Sequence, residues 1–110
     1  KSTPEGNPYS PLNPLLLTAA ASPKAFLARA FAFDFSQTTT MIKAAIKYQG
    51  FSLVEIIMPC LVWSDDYNLD YFKERIYYPE ELPQDQASLL KFLATLGEKV
   101  PLGIFWSPKK

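Results

Sequence analysis

The chain has 110 residues, with eleven Lys and Arg against eleven Asp and Glu, and 48% of its residues are apolar. This composition is typical of one folded domain and excludes a disordered chain. A net charge of zero argues against a protein whose main task is to bind nucleic acid or an anionic membrane. The chain has no histidine and a single cysteine. Without histidine the chain has no catalytic triad or metal site built from imidazole. With one cysteine it has no internal disulfide.

The chain opens on Lys1 and contains four prolines in its first fourteen residues. We interpret residues 1–12 as an extended, turn-rich arm. No apolar run reaches the length of a membrane span, and no secretory leader pattern is present. We therefore expect a soluble protein without a membrane partner.

The first half predicts a short helix followed by a strand–helix–strand unit. Asn13 and Pro14 form a helix start, and residues 15–21 predict a helix that is apolar all round and therefore buried. Residues 25–32 (AFLARAFA) predict a strand covered on both faces, interrupted by Arg29. Residues 52–58 (SLVEIIM) predict a second such strand, interrupted by Glu55.

Between these strands, residues 37–49 predict a helix capped by Asp34 or Ser36. Its expected buried stripe consists of Met41, Ile42, Ala45 and Ile46, and Gly50 is the expected stop. Strand, helix and strand with short connections predict a βαβ unit with parallel strands.

The second half predicts a short helix over residues 69–76, an extended piece, a helix over residues 84–96 ended by Gly97, and a last strand over residues 102–106. Three short strands make a small sheet, so we expect further strands and helices beside them. The fold class is α/β, and the chain is interpreted as part of a larger α/β protein or as a module that docks onto one.

Cys60 is the first candidate site residue. It follows the second strand directly, and ligands of open α/β sheets bind beyond the carboxyl ends of strands. As a thiolate it could bind a metal or cluster completed by cysteines from another segment. As a small buried hydrophobe it would have no chemical role.

Arg29 and Glu55 are charged residues within apolar strands. Glu55 could be a carboxyl group with a shifted pKa, and Arg29 could bind a substrate carboxylate through two hydrogen bonds. The alternative is that the two residues pair across the sheet, as buried charges generally do. The aromatic and acidic stretch from Trp63 to Tyr78 has the wrong charge for binding nucleic acid, and we interpret it as a surface that packs against a neighbouring domain.

Several stretches together resemble one family. They are KSTPEGNPYSPLNP, FLARAF, IKAAIKYQGFSLVEIIMPC, YFKERIYYPEE and GEKVPLGIFW, which follow one another over nearly the whole chain. In this order they are similar to the C-terminal part of the β subunit of 2-oxoacid:ferredoxin oxidoreductases, the enzymes that act on pyruvate or 2-oxoglutarate.

The resemblance implies an oxidoreductase that decarboxylates a 2-oxoacid on thiamine diphosphate with Mg²⁺. It implies electron transfer through a [4Fe–4S] cluster to ferredoxin, and acyl transfer to coenzyme A. The expected partners are the remainder of the β subunit and an α subunit, with γ and δ subunits in some members, and the expected location is the cytoplasm. In the two-subunit members of the family the cysteine of the Pro-Cys pair binds the cluster, with three cysteines from earlier in the β subunit, which implies a metal-ligand role for Cys60. The residues that bind thiamine diphosphate and Mg²⁺ would lie before Lys1, so this segment is expected to be inactive alone.

The resemblance also implies a division of the chain. Residues 1–60 would be the end of the thiamine-diphosphate-binding α/β domain, a three-layer domain with a mostly parallel sheet, and residues 61–110 a C-terminal extension. Some members carry a lysine that contacts coenzyme A where Ser36 stands, and a histidine where Tyr48 stands. A non-catalytic α/β docking module is the alternative to the enzyme segment.

Overall fold

The computed structural model describes residues 5–62, 66–95 and 99–108. Helices and strands alternate over most of this length, which confirms the α/β class. In chain order they are α1 (Pro14–Ala21), β1 (Phe26–Phe31), α2 (Phe35–Lys47), β2 (Ser52–Ile57), α3 (Leu69–Arg75), β3 (Ile76–Tyr77), α4 (Gln86–Ala94), β4 (Val100–Pro101) and β5 (Gly103–Trp106).

The main sheet has the strand order β2-β1-β5. β1 and β2 are parallel in continuous register from Phe26 opposite Ser52 to Phe31 opposite Ile57, which confirms the predicted βαβ unit. β5 pairs with β1 in the antiparallel direction, so the sheet is mixed. β3 and β4 form a separate parallel pair that the sequence pattern did not predict, because two residues are too few to show a period.

β1 is the centre of two apolar cores because its side chains alternate between the two faces of the sheet. Ala25 and Leu27 pack on one face with residues of α1, α4 and β5, whereas Phe26, Ala28 and Ala30 pack on the other face with Met41 of α2. The result is three layers, with α1 and α4 on one side of the sheet and α2 on the other.

Capping side chains fix where these helices begin. The Asn13 side-chain oxygen accepts a hydrogen bond from Leu16 N at 3.1 Å, and its amide nitrogen donates to Leu93 O at 2.8 Å. One residue therefore starts α1 and ties it to the end of α4. Asp34 and Asp85 cap α2 and α4 in the same way.

The expectation that α1 is buried all round was wrong. Leu15 and Ala19 are fully buried, but Leu17 is 61% exposed. The helix packs against α4 and β2 with one side, and its opposite side is exposed.

The expected stripe of α2 was also partly wrong. Met41 is buried and Ala45 packs against the core, but Ile42 and Ile46 are exposed. The face against the sheet instead carries the buried Gln37 together with Met41, Ala44 and Tyr48. The small alanines let the helix lie close to β1. α2 also ends at Lys47, before the predicted stop at Gly50.

In the second half, α3, α4 and β5 lie where the sequence predicted them, within one or two residues at their described ends. Leu89 and Leu93 of α4 are buried as expected. The predicted helix end at Leu96 and Gly97 lies outside the described residues, as does Trp63.

β2 differs from the expectation that both strands are covered on both faces. β1 is covered on both faces as expected, but β2 is half-buried, and Ile56 is 42% exposed. The outer edge of β2 has no strand neighbour within the described part of the chain. An open strand edge of this kind fits the interpretation that more sheet lies beside β2 in the complete protein.

Candidate functional site

The carboxyl ends of β1 and β2 lie side by side because the two strands are parallel and in register. Asp34 follows β1, and Pro59 and Cys60 follow β2. This edge is where open α/β sheets bind ligands. The predicted site residue Cys60 is therefore placed at the expected edge of the sheet.

Gln37 and Thr38, at the start of α2, hold the end of β1. The Gln37 amide accepts a hydrogen bond from Phe31 N and donates one to Arg29 O, both at 3.0 Å. The Thr38 hydroxyl donates to Phe31 O at 2.7 Å. β5 pairs with β1 only as far as Arg29, so these side chains replace the missing strand at this edge. They fix the backbone from which Asp34 projects.

Asp34 joins α2 to the segment that follows α3. Its Oδ1 accepts the capping hydrogen bond from Gln37 N at 3.1 Å, and its Oδ2 accepts one from the Tyr78 hydroxyl at 3.2 Å. Partial burial raises the pKa of Tyr78, and the hydrogen bond to the Asp34 carboxylate and its negative charge raise it further. Tyr78 therefore stays a neutral hydrogen-bond donor at neutral pH.

Cys60 is partly buried. Its backbone N–H donates to Tyr67 O at 3.3 Å, which closes the loop between these two residues. No group of three or more Cys, Asp or Glu side chains that could hold a metal occurs among the described residues. The described residues thus offer one thiol, which does not make a metal site alone.

Arg29 and Glu55 face each other across β1 and β2, in register. Arg29 Nε lies 3.2 Å from Glu55 Oε1, and the two side chains are 12% and 24% exposed. Arg29 Nη1 also donates to Pro101 O at 3.4 Å, and its guanidinium lies 5.6 Å from the centre of the Phe105 ring. The cross-sheet pairing predicted as one alternative is therefore confirmed.

A cavity of about 200 Å³ lies beside this ion pair. It is walled by the pair itself and by Phe92, Thr95 and Lys99. Glu55 Oε2 is buried and has no hydrogen-bond partner among residues 5–62, 66–95 and 99–108. Since the guanidinium engages only one carboxylate oxygen, the pair is held by a single strong contact.

The aromatic stretch after Cys60 is organised by contacts among its own rings. Tyr71 meets Tyr67 and Phe72 edge-to-face, with ring centres 5.2 and 5.0 Å apart. The Arg75 guanidinium lies 3.8 Å from the centre of the Tyr71 ring. With their edges against one another and a cation on one face, these rings form a packed cluster rather than a row of platforms for stacked bases.

Gln37, Thr38 and Tyr48 were not identified as site residues from the sequence. The Tyr48 hydroxyl lies 2.5 Å from Lys24 O and 2.8 Å from Pro108 O, so it links the start of β1 to the residues after β5. Gln37, Met41, Ala44 and Tyr48 share one helix face by their spacing. A buried amide and a half-buried phenol on that face could therefore have been predicted from the sequence by placing the stripe there.

No helix among the described residues is long and apolar enough to cross a membrane. The fold and the site together form a three-layer α/β segment with polar residues and a thiol at the carboxyl ends of two parallel strands. Known proteins with a similar sequence and fold contain such a segment.

The chain is 29% identical to the 2-oxoacid:ferredoxin oxidoreductase subunit beta of Saccharolobus solfataricus, in an alignment of 119 positions that covers 96% of this chain and 39% of that protein. It is 31% identical to 2-oxoacid:ferredoxin oxidoreductase 2, subunit beta, of Aeropyrum pernix, over 92% of this chain and 37% of that protein. No protein-family model matches the chain.

Among solved structures, the 2-oxoglutarate:ferredoxin oxidoreductase from Magnetococcus marinus, with 2-oxoglutarate, coenzyme A and succinyl-CoA bound, matches all of this chain and 38% of its own. The TM-score is 0.85 and the sequence identity 26%. The resemblance identified from the sequence is thus confirmed: the homologues of this chain are β subunits of 2-oxoacid:ferredoxin oxidoreductases. The chain spans less than two-fifths of the length of these relatives, in their C-terminal portion.

Proposed function

We propose that this chain is the C-terminal part of the β subunit of a 2-oxoacid:ferredoxin oxidoreductase. The complete enzyme would oxidatively decarboxylate a 2-oxoacid to acyl-coenzyme A and pass the electrons to ferredoxin in the cytoplasm. The observation that supports this is the match of the whole fold, at a TM-score of 0.85, to a protein solved with 2-oxoglutarate, coenzyme A and succinyl-CoA.

In this proposal the chain contributes structure and one ligand. The open edge of β2 would be paired by the preceding part of the β subunit, which would also provide the residues for thiamine diphosphate and Mg²⁺. Residues 1–60 would complete that domain, and residues 61–110 would form an extension packed against it. Residues 1–12 would wall the active site.

Cys60 is proposed as a ligand of the [4Fe–4S] cluster. Its position after β2 and its partial exposure support this role, because a thiolate must be reachable by a cluster whose other ligands come from elsewhere. When bound, the cluster supplies one-electron transfer. The loop closed by Cys60 N–H and Tyr67 O would fix the direction of the thiolate.

The test uses the full-length β subunit, expressed anaerobically with its partner subunits. Cys60→Ser is expected to lower the iron content and to abolish electron transfer to ferredoxin, because an alcohol is a poor ligand for the cluster. Cys60→Ala has no side-chain ligand atom and is expected to lose iron in the same way, and melting curves of both variants check that the subunit still folds.

Unchanged iron content and unchanged electron transfer in both variants would contradict the ligand assignment and favour the non-catalytic docking module. The preceding gene sequence provides an independent check. A Cys-x-x-Cys pair and a GDG…Asn-Asn stretch within about two hundred residues before Lys1, a span set by domain size, are expected for the enzyme.

A further inference from the structure

We draw no further inference here: the strongest candidate, the cavity of about 200 Å³ beside the Arg29–Glu55 ion pair, belongs to the site already described, and nothing in the structure shows what would occupy it.

Discussion

The strand–helix–strand unit (residues 26–57) and the aromatic segment (residues 66–82) are both rich in apolar side chains, but they are ordered in different ways. Within the unit, β1 is buried at every position except Arg29. Within the aromatic segment, α3 has no buried residue, and Tyr67 and Tyr78 are 57% and 56% exposed.

The unit is held by layers that cover both faces of its central strand. The aromatic segment is held by ring contacts between near neighbours in the chain, by the loop bond from Cys60 to Tyr67, by the short pairing of β3 with β4, and by the Tyr78 hydrogen bond to Asp34. The difference indicates that the unit carries the stability of this chain. The exposed rings of the aromatic segment fit the interpretation that it packs against a neighbouring domain.

The largest expected effect is on the free energy of unfolding, when a leucine is replaced by alanine inside the unit and, for comparison, outside it. Leu27→Ala should lower the free energy of unfolding by about 3 kcal/mol, because Leu27 is fully buried and its removal leaves a cavity between the sheet and α4. Leu61→Ala, at a side chain that is 66% exposed, should change it by less than about 0.5 kcal/mol. Urea denaturation of the full-length β subunit measures both.

A large loss for Leu61→Ala in that subunit would show that residues outside this chain bury Leu61. The unit and the aromatic segment would then differ in where their covering residues come from, since a neighbouring domain would bury Leu61. A small loss of unfolding free energy for Leu27→Ala would contradict the comparison, because β1 would then not be the centre of the core.

A smaller effect is expected at the ion pair within the unit. Arg29→Met should cost about 2 kcal/mol, less than the roughly 3–5 kcal/mol for breaking a fully buried pair, because both side chains are partly exposed. The loss arises because the Glu55 carboxyl group, whose Oε2 has no described hydrogen-bond partner, would also lose the contact of Oε1 with the guanidinium.

Adding Glu55→Met to that variant should recover most of the loss, since the two apolar side chains can pack together. A double-mutant cycle measured by urea denaturation tests this. If the double variant is as unstable as the sum of the single variants, the pair is not the source of the effect.

The fold was predictable where its signals are local. Asn13 with Pro14 marked the start of α1, Asp34 was one of the two caps expected for α2, and the continuous apolar run of β1 marked a strand covered on both faces. Each signal is a few residues long and is not overridden by a distant contact. The parallel pairing of β1 and β2 followed from the same elements.

What was missed depends on contacts distant in the chain. The buried face of α2 was misplaced because Ile42 and Ile46 are more apolar than Gln37, yet Gln37 is the residue that meets the end of β1. The pairing of β3 with β4 joins residues more than twenty positions apart, so no period in the sequence shows it. At the candidate site, the pairing of Arg29 with Glu55 was one of two alternatives that only the register could decide.

The smallest expected effect concerns the hydrogen bond that joins the aromatic segment to the unit. The folded protein raises the pKa of Tyr78, through partial burial first and then through the hydrogen bond and charge of Asp34. Because the pKa is higher in the folded protein, the contribution of Tyr78 to stability is complete at pH values below the pKa of the unfolded state, about 10. That contribution is lost as the pH rises through the pKa of the folded state.

Tyr78→Phe should therefore lower the melting temperature slightly at pH 8, and the difference from wild type should shrink above about pH 10. Melting curves of the full-length β subunit between pH 8 and pH 11 measure this, and Tyr77→Phe serves as the neighbouring control. Curves for wild type and Tyr78→Phe that stay parallel over the whole range would show that the contact with Asp34 does not couple the two regions.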